Sequence, residues 1–330
     1  MDLEPIFPPF CDGVNLSLKE LLYYKNQSLP LLPPAKSVWA QLAGMHATNQ
    51  LGRGMDFSEV RAYQPGDDVR TIDWRVTART GKTHTKLYTE EKEQVRLLFI
   101  DLSTSMYFGS KLLLKSIQAT HLAALLTWLS ISEQDRIGAL ILVGDKLIQV
   151  RPNGRDKGAL AVLDALVQAH HYLQHLWENK AKPHGDYVKA LRHLNRLCPK
   201  GSELIFISDF YALLGDQLDL NGEKEDRMLA QKQRLITQLC SHNHPRFMSI
   251  YDPLEQGETA YKGSEYVTDH KRSAWIDFSR ENNKEAIAQA FSQRTHCVEQ
   301  LAMQFNIPFY QISAGIPLIH QLGFQSHQDI

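Results

Sequence analysis

Apolar and polar positions change their rhythm near residue 96. Beyond it, short continuous apolar runs alternate with stretches of helical spacing, the pattern of βαβ units in a mostly parallel sheet. Residues 95–101 predict a first strand, 111–132 an amphipathic helix and 136–143 a second strand. Residues 146–151, after the Gly144-Asp145 turn, predict a hairpin partner at the sheet edge. Helices are expected over 158–178 and 186–197, a buried strand over 203–208, a charged helix over 223–240 and a strand over 246–251. Residues 252–282 break the alternation, and their two short β-type runs, 264–268 and 274–278, predict a hairpin excursion. A helix over 283–305, a last strand over 308–312 and a short helix over 316–322 close the pattern.

Upstream the chain reads differently. Residues 1–35 are proline-rich and predict an irregular leader with one short helix near 16–24. Residues 36–95 form a small β-rich region, with runs around 58–63 and 82–89 and turn signals at Gln64-Pro65-Gly66-Asp67 and Arg79-Thr80-Gly81-Lys82. The expectation is therefore a doubly wound, mostly parallel α/β domain over 96–330, preceded by that small β unit.

Composition narrows the function classes. The chain has 330 residues, 36 basic against 37 acidic, and a formal charge of −1, so no global basic field favours nucleic acid. The N-terminal MDLEPIFPPFCDGV is acidic and proline-punctuated, unlike a signal peptide. The longest apolar stretch, 122–131, is too short to span a bilayer, and a cytoplasmic location is expected. Cys11, Cys198, Cys240 and Cys297 are far apart and form no Cys-x-x-Cys, which fits reduced thiols better than disulfides or zinc.

The candidate chemistry sits where the first strand ends, at Asp101-Leu102-Ser103-Thr104-Ser105. One carboxylate and two hydroxyls on one turn are hard oxygen ligands of the kind Mg²⁺ accepts, at the strand end where open α/β sheets keep their ligands. The same residues also suit a simple Asx or Ser turn capping the next helix. A second strand-terminal acid, Asp209, strengthens the metal reading, because two parallel strands ending in Asp can share one crevice. An aspartyl-phosphate phosphotransferase is disfavoured, since Ser103 replaces the usual second acid and no Lys or Arg stands obviously beside the site. Neither a P-loop nor a Gly-x-Ser-x-Gly elbow is present. His171 and His175 have zinc-compatible i,i+4 spacing but fit a polar helical face better.

Acids and arginines interleave from Arg61 to Arg79 around a Pro-Gly turn, either as a self-satisfied network or as a recognition surface. The run RGMDFSEVRAYQPGDDVRTIDWRVTARTGK, followed by a strand and DLSTSM, closely resembles the domain-of-unknown-function-58 family over roughly residues 40–320. That resemblance implies a von Willebrand factor type A fold. It implies that Asp101, Ser103 and Ser105 form the first loop of a metal-ion-dependent adhesion site holding Mg²⁺, with Asp209 as the third-loop acid. It also implies a protein partner, typically a MoxR-type AAA+ ATPase, and a role in assembly or maturation of other proteins. The second loop departs from the pattern: Gly185 stands where a threonine is expected, leaving Asp186 or a water as the substitute ligand. The leading expectation is a non-enzymatic adaptor without direct membrane insertion. The alternatives are a metal-dependent hydrolase or phosphatase at the same crevice, whose nearest histidine is His184, and a metal-free structural domain.

Overall fold

A computed structural model describes residues 8–27, 55–90, 93–180, 185–214, 223–268 and 273–322. The chain divides into two units, Ala40–Glu93 and a larger one formed by Met1–Trp39 with Gln94–Ile330.

In the smaller unit, β1 (Met55–Ala62) pairs antiparallel with β2 (His84–Glu90). Asp67 closes the Pro-Gly turn, taking Arg61 Nη2 at 2.7 Å and the Gln64 N–H at 2.8 Å. Asp73 caps a helix the sequence pattern did not predict, Trp74–Thr80, which stops at Gly81 with φ of 70°. Asp67, Asp68 and Asp73 therefore all serve turns and caps, the self-satisfied alternative for this run.

The larger unit is the doubly wound α/β fold. Two short helices, α1 (Leu18–Leu22) and α2 (Tyr24–Gln27), bury Leu21 and Tyr24 against the domain. The apolar side chains of this leader form part of the main core. The sheet then builds from β3 (Val95–Leu102), β4 (Arg136–Val143), β5 (Lys146–Asn153), β6 (Glu203–Ser208), β7 (His244–Tyr251) and β10 (Phe309–Ser313). Their spatial order is β10-β7-β6-β3-β4-β5, parallel throughout except for the β4–β5 edge hairpin. A second hairpin, β8 (Ser264–Thr268) with β9 (Ser273–Asp277), fills the expected excursion.

Alternation along β3 sorts its side chains between the two faces. Leu97 and Phe99 join a core with Tyr187, Leu191 and Leu194 of the helix Tyr187–Leu197, Leu239 of Glu223–Cys240, and Leu301 of Glu281–Gln304. The helices Lys115–Ser132 and Arg155–Glu178 pack on the opposite face. The first of these is buried from Lys115 to Ser130, so its amphipathic expectation is corrected: α1, α2 and the neighbouring helix cover the side that would have met water. The chain leaves β3 toward β4 and later returns on the other side through β6. That reversal puts the topological switch point between the carboxyl ends of β3 and β6.

Candidate functional site

Ile100 pairs in register with Ile207, so the next residues, Asp101 and Ser208, emerge side by side at the switch point. Ser208 Oγ donates to Asp101 Oδ2 at 2.9 Å, and the Ser103 N–H donates to Asp101 Oδ1 at 3.0 Å. The Ser103 and Ser105 hydroxyls lie 3.1 Å apart on the 3₁₀ turn that follows β3. Asp101 is fully buried, whereas Ser103 and Ser105 are half-buried.

Asp209, one residue beyond β6, is 4% exposed. It takes the Tyr211 N–H at 3.0 Å on Oδ1 and the Lys115 ammonium at 2.9 Å on Oδ2. Lys115 is the first residue of its helix, at the positive end of the dipole, where a cation is unfavourable unless paired. Asp209 and Glu255 provide that pairing, the second at 3.2 Å, and Arg294 in turn holds Glu255 at 2.8 Å. Lys232 pins the loop after Asp209 by donating to the carbonyls of Ala212 and Leu213 at 2.7 and 2.8 Å.

Burial and neighbouring charges shift the two carboxyls in opposite directions. Burial, and then the nearby charge of Asp209, push the Asp101 carboxyl up to about 6, against its hydrogen bonds from Ser208 and Ser103. Burial works the same way on Asp209, but Lys115 and Arg294 outweigh it and hold the group below the usual carboxylate range. Asp209 therefore has its counter-ion, while Asp101 is met only by neutral donors among the described residues. A buried carboxylate without a cation, beside two hydroxyls 3.1 Å apart, is a donor set that fits a hard divalent ion. Asp209 fits less directly, because Lys115 occupies one of its oxygens.

The structure thus gathers Asp101, Ser103, Ser105 and Asp209 at one crevice. Asp186 has a different job: it is exposed and caps the helix Tyr187–Leu197, accepting the Lys189 N–H at 2.8 Å. Gly185 has a packing reason, since a Cβ there would stand 2.9 Å from the Gly144 carbonyl oxygen. His184 lies outside the described residues. The expected absence of a basic residue at the crevice is corrected by Lys115, whose partners lie 94 and 140 residues away in sequence. Ser208, Glu255 and Arg294 also went unrecognised; the one available signal was a lysine opening an otherwise apolar helix.

Two histidine sites lie elsewhere. His171 and His175 are exposed, on the solvent face of their helix. Cys11, Glu20 and His121 place their ligand atoms within 4.8 Å of one another. There the Glu20 carboxylate takes His121 Nε2 at 2.7 Å and the Ser17 N–H at 3.4 Å. Burial and the Glu20 hydrogen bond push the Cys11 thiol up to about 12, keeping it protonated. This cluster clamps the N-terminal segment onto the helix Lys115–Ser132.

The profile of a family described as "Protein of unknown function DUF58" matches residues 59–293. Uncharacterized proteins of Mycobacterium tuberculosis and Mycobacterium bovis are each 39% identical over 172 residues, which is 51% of this chain and 51% of theirs. The chain thus spans about half the length of the curated relatives it matches. A solved von Willebrand factor type A protein from Catenulispora acidiphila is 15% identical and covers 51% of this chain and 35% of its own. Its TM-score is 0.27, too slight a likeness to argue from.

Proposed function

The chain belongs to the DUF58 family, and on that premise we propose that it is a non-enzymatic protein-docking module of the von Willebrand A kind. Its crevice holds a Mg²⁺ on Asp101, Ser103 and Ser105, with Asp209 behind them. The observation that carries this reading is the pairing of a fully buried Asp101, with no ion pair among the described residues, with two half-buried hydroxyls at the switch point. When bound, the ion would be held by these oxygens and would supply positive charge that an acidic side chain of a partner could ligate. Phe108, Leu112 and Tyr211, exposed by 37, 43 and 38% and adjacent in sequence to the two loops, offer apolar contact area for such a partner.

The partner we propose is a MoxR-type AAA+ ATPase, with the pair acting in the cytoplasm on assembly or maturation of other proteins. No described helix is long and apolar enough to cross a membrane. Binding of the full chain to a purified MoxR-type ATPase, measured with Mg²⁺ and with EDTA, tests the proposal. The expected result is Mg²⁺-dependent binding that Asp101→Ala weakens at least about tenfold, a loss of about 1.4 kcal/mol. Equal binding by wild type and variant contradicts it.

Lys115 favours one rival enough to test it, because an ammonium beside two carboxylates is also what phosphoryl transfer uses. Hydrolysis of a generic phosphoester panel, lost in Asp101→Asn, would replace the docking reading.

A further inference from the structure

We propose that Lys115 is a built-in competitor of the divalent ion, holding Asp209 in the metal-free protein and setting how tightly the crevice takes Mg²⁺. This rests on the docking reading above and adds a residue that sets its metal affinity.

The two acids at the crevice are served unequally. Asp209 Oδ2 is 2.9 Å from Lys115 Nζ, and both side chains are almost wholly enclosed, at 2 and 3% exposure. In so dry a setting a single ammonium neutralises a carboxylate strongly, and little water screens the pair. Asp101, by contrast, is met among the described residues by neutral donors, the Ser103 N–H and the Ser208 hydroxyl. A divalent ion arriving over Ser103 and Ser105 therefore meets one carboxylate with no ion pair among the described residues and one already neutralised.

For Asp209 to add its charge to the ion, directly or through water, its bond to Lys115 must lengthen or break. Lys115 has a second carboxylate to retain it, since Glu255 Oε1 already lies 3.2 Å from the same nitrogen. Arg294, 2.8 Å from that Glu255 oxygen, supplies the positive charge that keeps Glu255 in place. The ammonium can thus shift its weight from Asp209 to Glu255 without losing all pairing. Lys115 and the metal thus compete for one acid.

Removing the ammonium should free Asp209 for the metal. Isothermal titration of the full chain with MgCl₂ alone reads this directly, comparing wild type with Lys115→Gln, Lys115→Arg and the double variant Lys115→Gln/Asp101→Ala. Lys115→Gln is expected to bind Mg²⁺ at least about tenfold more tightly than wild type, the scale of removing one nearby like charge. The double variant is expected to lose that gain. Lys115→Arg keeps the charge and can grip Asp209 with two donors, so it is expected to bind no more tightly than wild type.

Lys115→Gln leaves a buried carboxylate unpaired and costs stability. Should it not fold, Lys115→Arg still decides, because tighter binding by that variant overturns the inference. Equal or weaker binding by folded Lys115→Gln, with wild type binding normally, also overturns it and leaves the docking reading standing. No Mg²⁺ binding by either protein at millimolar concentration removes the metal from the docking reading, and this inference falls with it.

Discussion

Strand β3 carries a buried charge at each end, and the two ends are built differently. At its start, Arg96 is 3% exposed and fully answered. Its Nε meets Glu203 at 2.5 Å, and its two terminal nitrogens meet Ser130 at 2.7 Å and Glu133 at 3.0 Å. Arg246 reaches the other Glu203 oxygen at 3.2 Å. At its finish, Asp101 is equally buried but has no ion pair among the described residues. Its neighbour Asp209 takes Lys115, and hydroxyls face outward above the pair. The first end closes on itself, as a structural network should. The second is left one cation short, on the edge where the topology places ligands. Burial of charge alone therefore does not distinguish the two ends; the difference lies in how each charge is paired.

The largest expected effect comes from breaking the closed end. Arg96→Met strands Glu203 with part of its charge uncompensated and should cost about 3–5 kcal/mol in urea unfolding. Asp101→Asn at the open end should cost nothing, or add stability at pH 7. A comparable loss from both variants would erase the distinction between the ends.

Titration should separate them next. The folded-state value for Asp101 is raised from 3.8 to about 6, so its protonated form is the one the fold prefers. Its contribution is complete below about pH 4 and is lost as pH rises to about 6, changing little above that. Wild type should therefore lose about 2 kcal/mol relative to Asp101→Asn across that window, with EDTA present. Parallel stability curves for the two proteins would show that Asp101 is no more perturbed than an ordinary surface acid.

A smaller effect tests the second loop. Gly185→Thr drives a side chain against the Gly144 carbonyl and should cost about 1–3 kcal/mol without raising Mg²⁺ affinity. A tighter metal site in that variant would mean that the loop yields and the threonine becomes a ligand.

Most of the open end was readable from sequence, and the closed end was not. The apolar runs of β3 and β6 each stop at a carboxylate, so Asp101, the serines and Asp209 announced themselves by position. Lys115, Glu255 and Arg294 did not, because their pairing spans 39 to 140 residues and depends on which helix tops which strand. Asp186 looked like a ligand because it opens the expected loop, but an aspartate just before a helix is equally suited to capping, and capping prevailed. The helix Trp74–Thr80 escaped notice because seven residues without a buried face carry no periodic signal. Long apolar segments were placed to within a few residues, since burial on a sheet dictates both their length and their composition.

The central claim is that the crevice between β3 and β6 takes a divalent cation through Asp101. Thermal unfolding of the wild-type chain and of Asp101→Ala, each in EDTA and in millimolar MgCl₂, tests it most directly. The account predicts that Mg²⁺ raises the wild-type midpoint by several degrees, roughly the 4 °C that about 2 kcal/mol of linked binding gives a domain this size, and leaves the variant unmoved. An equal shift in both proteins, or none in wild type, would contradict it.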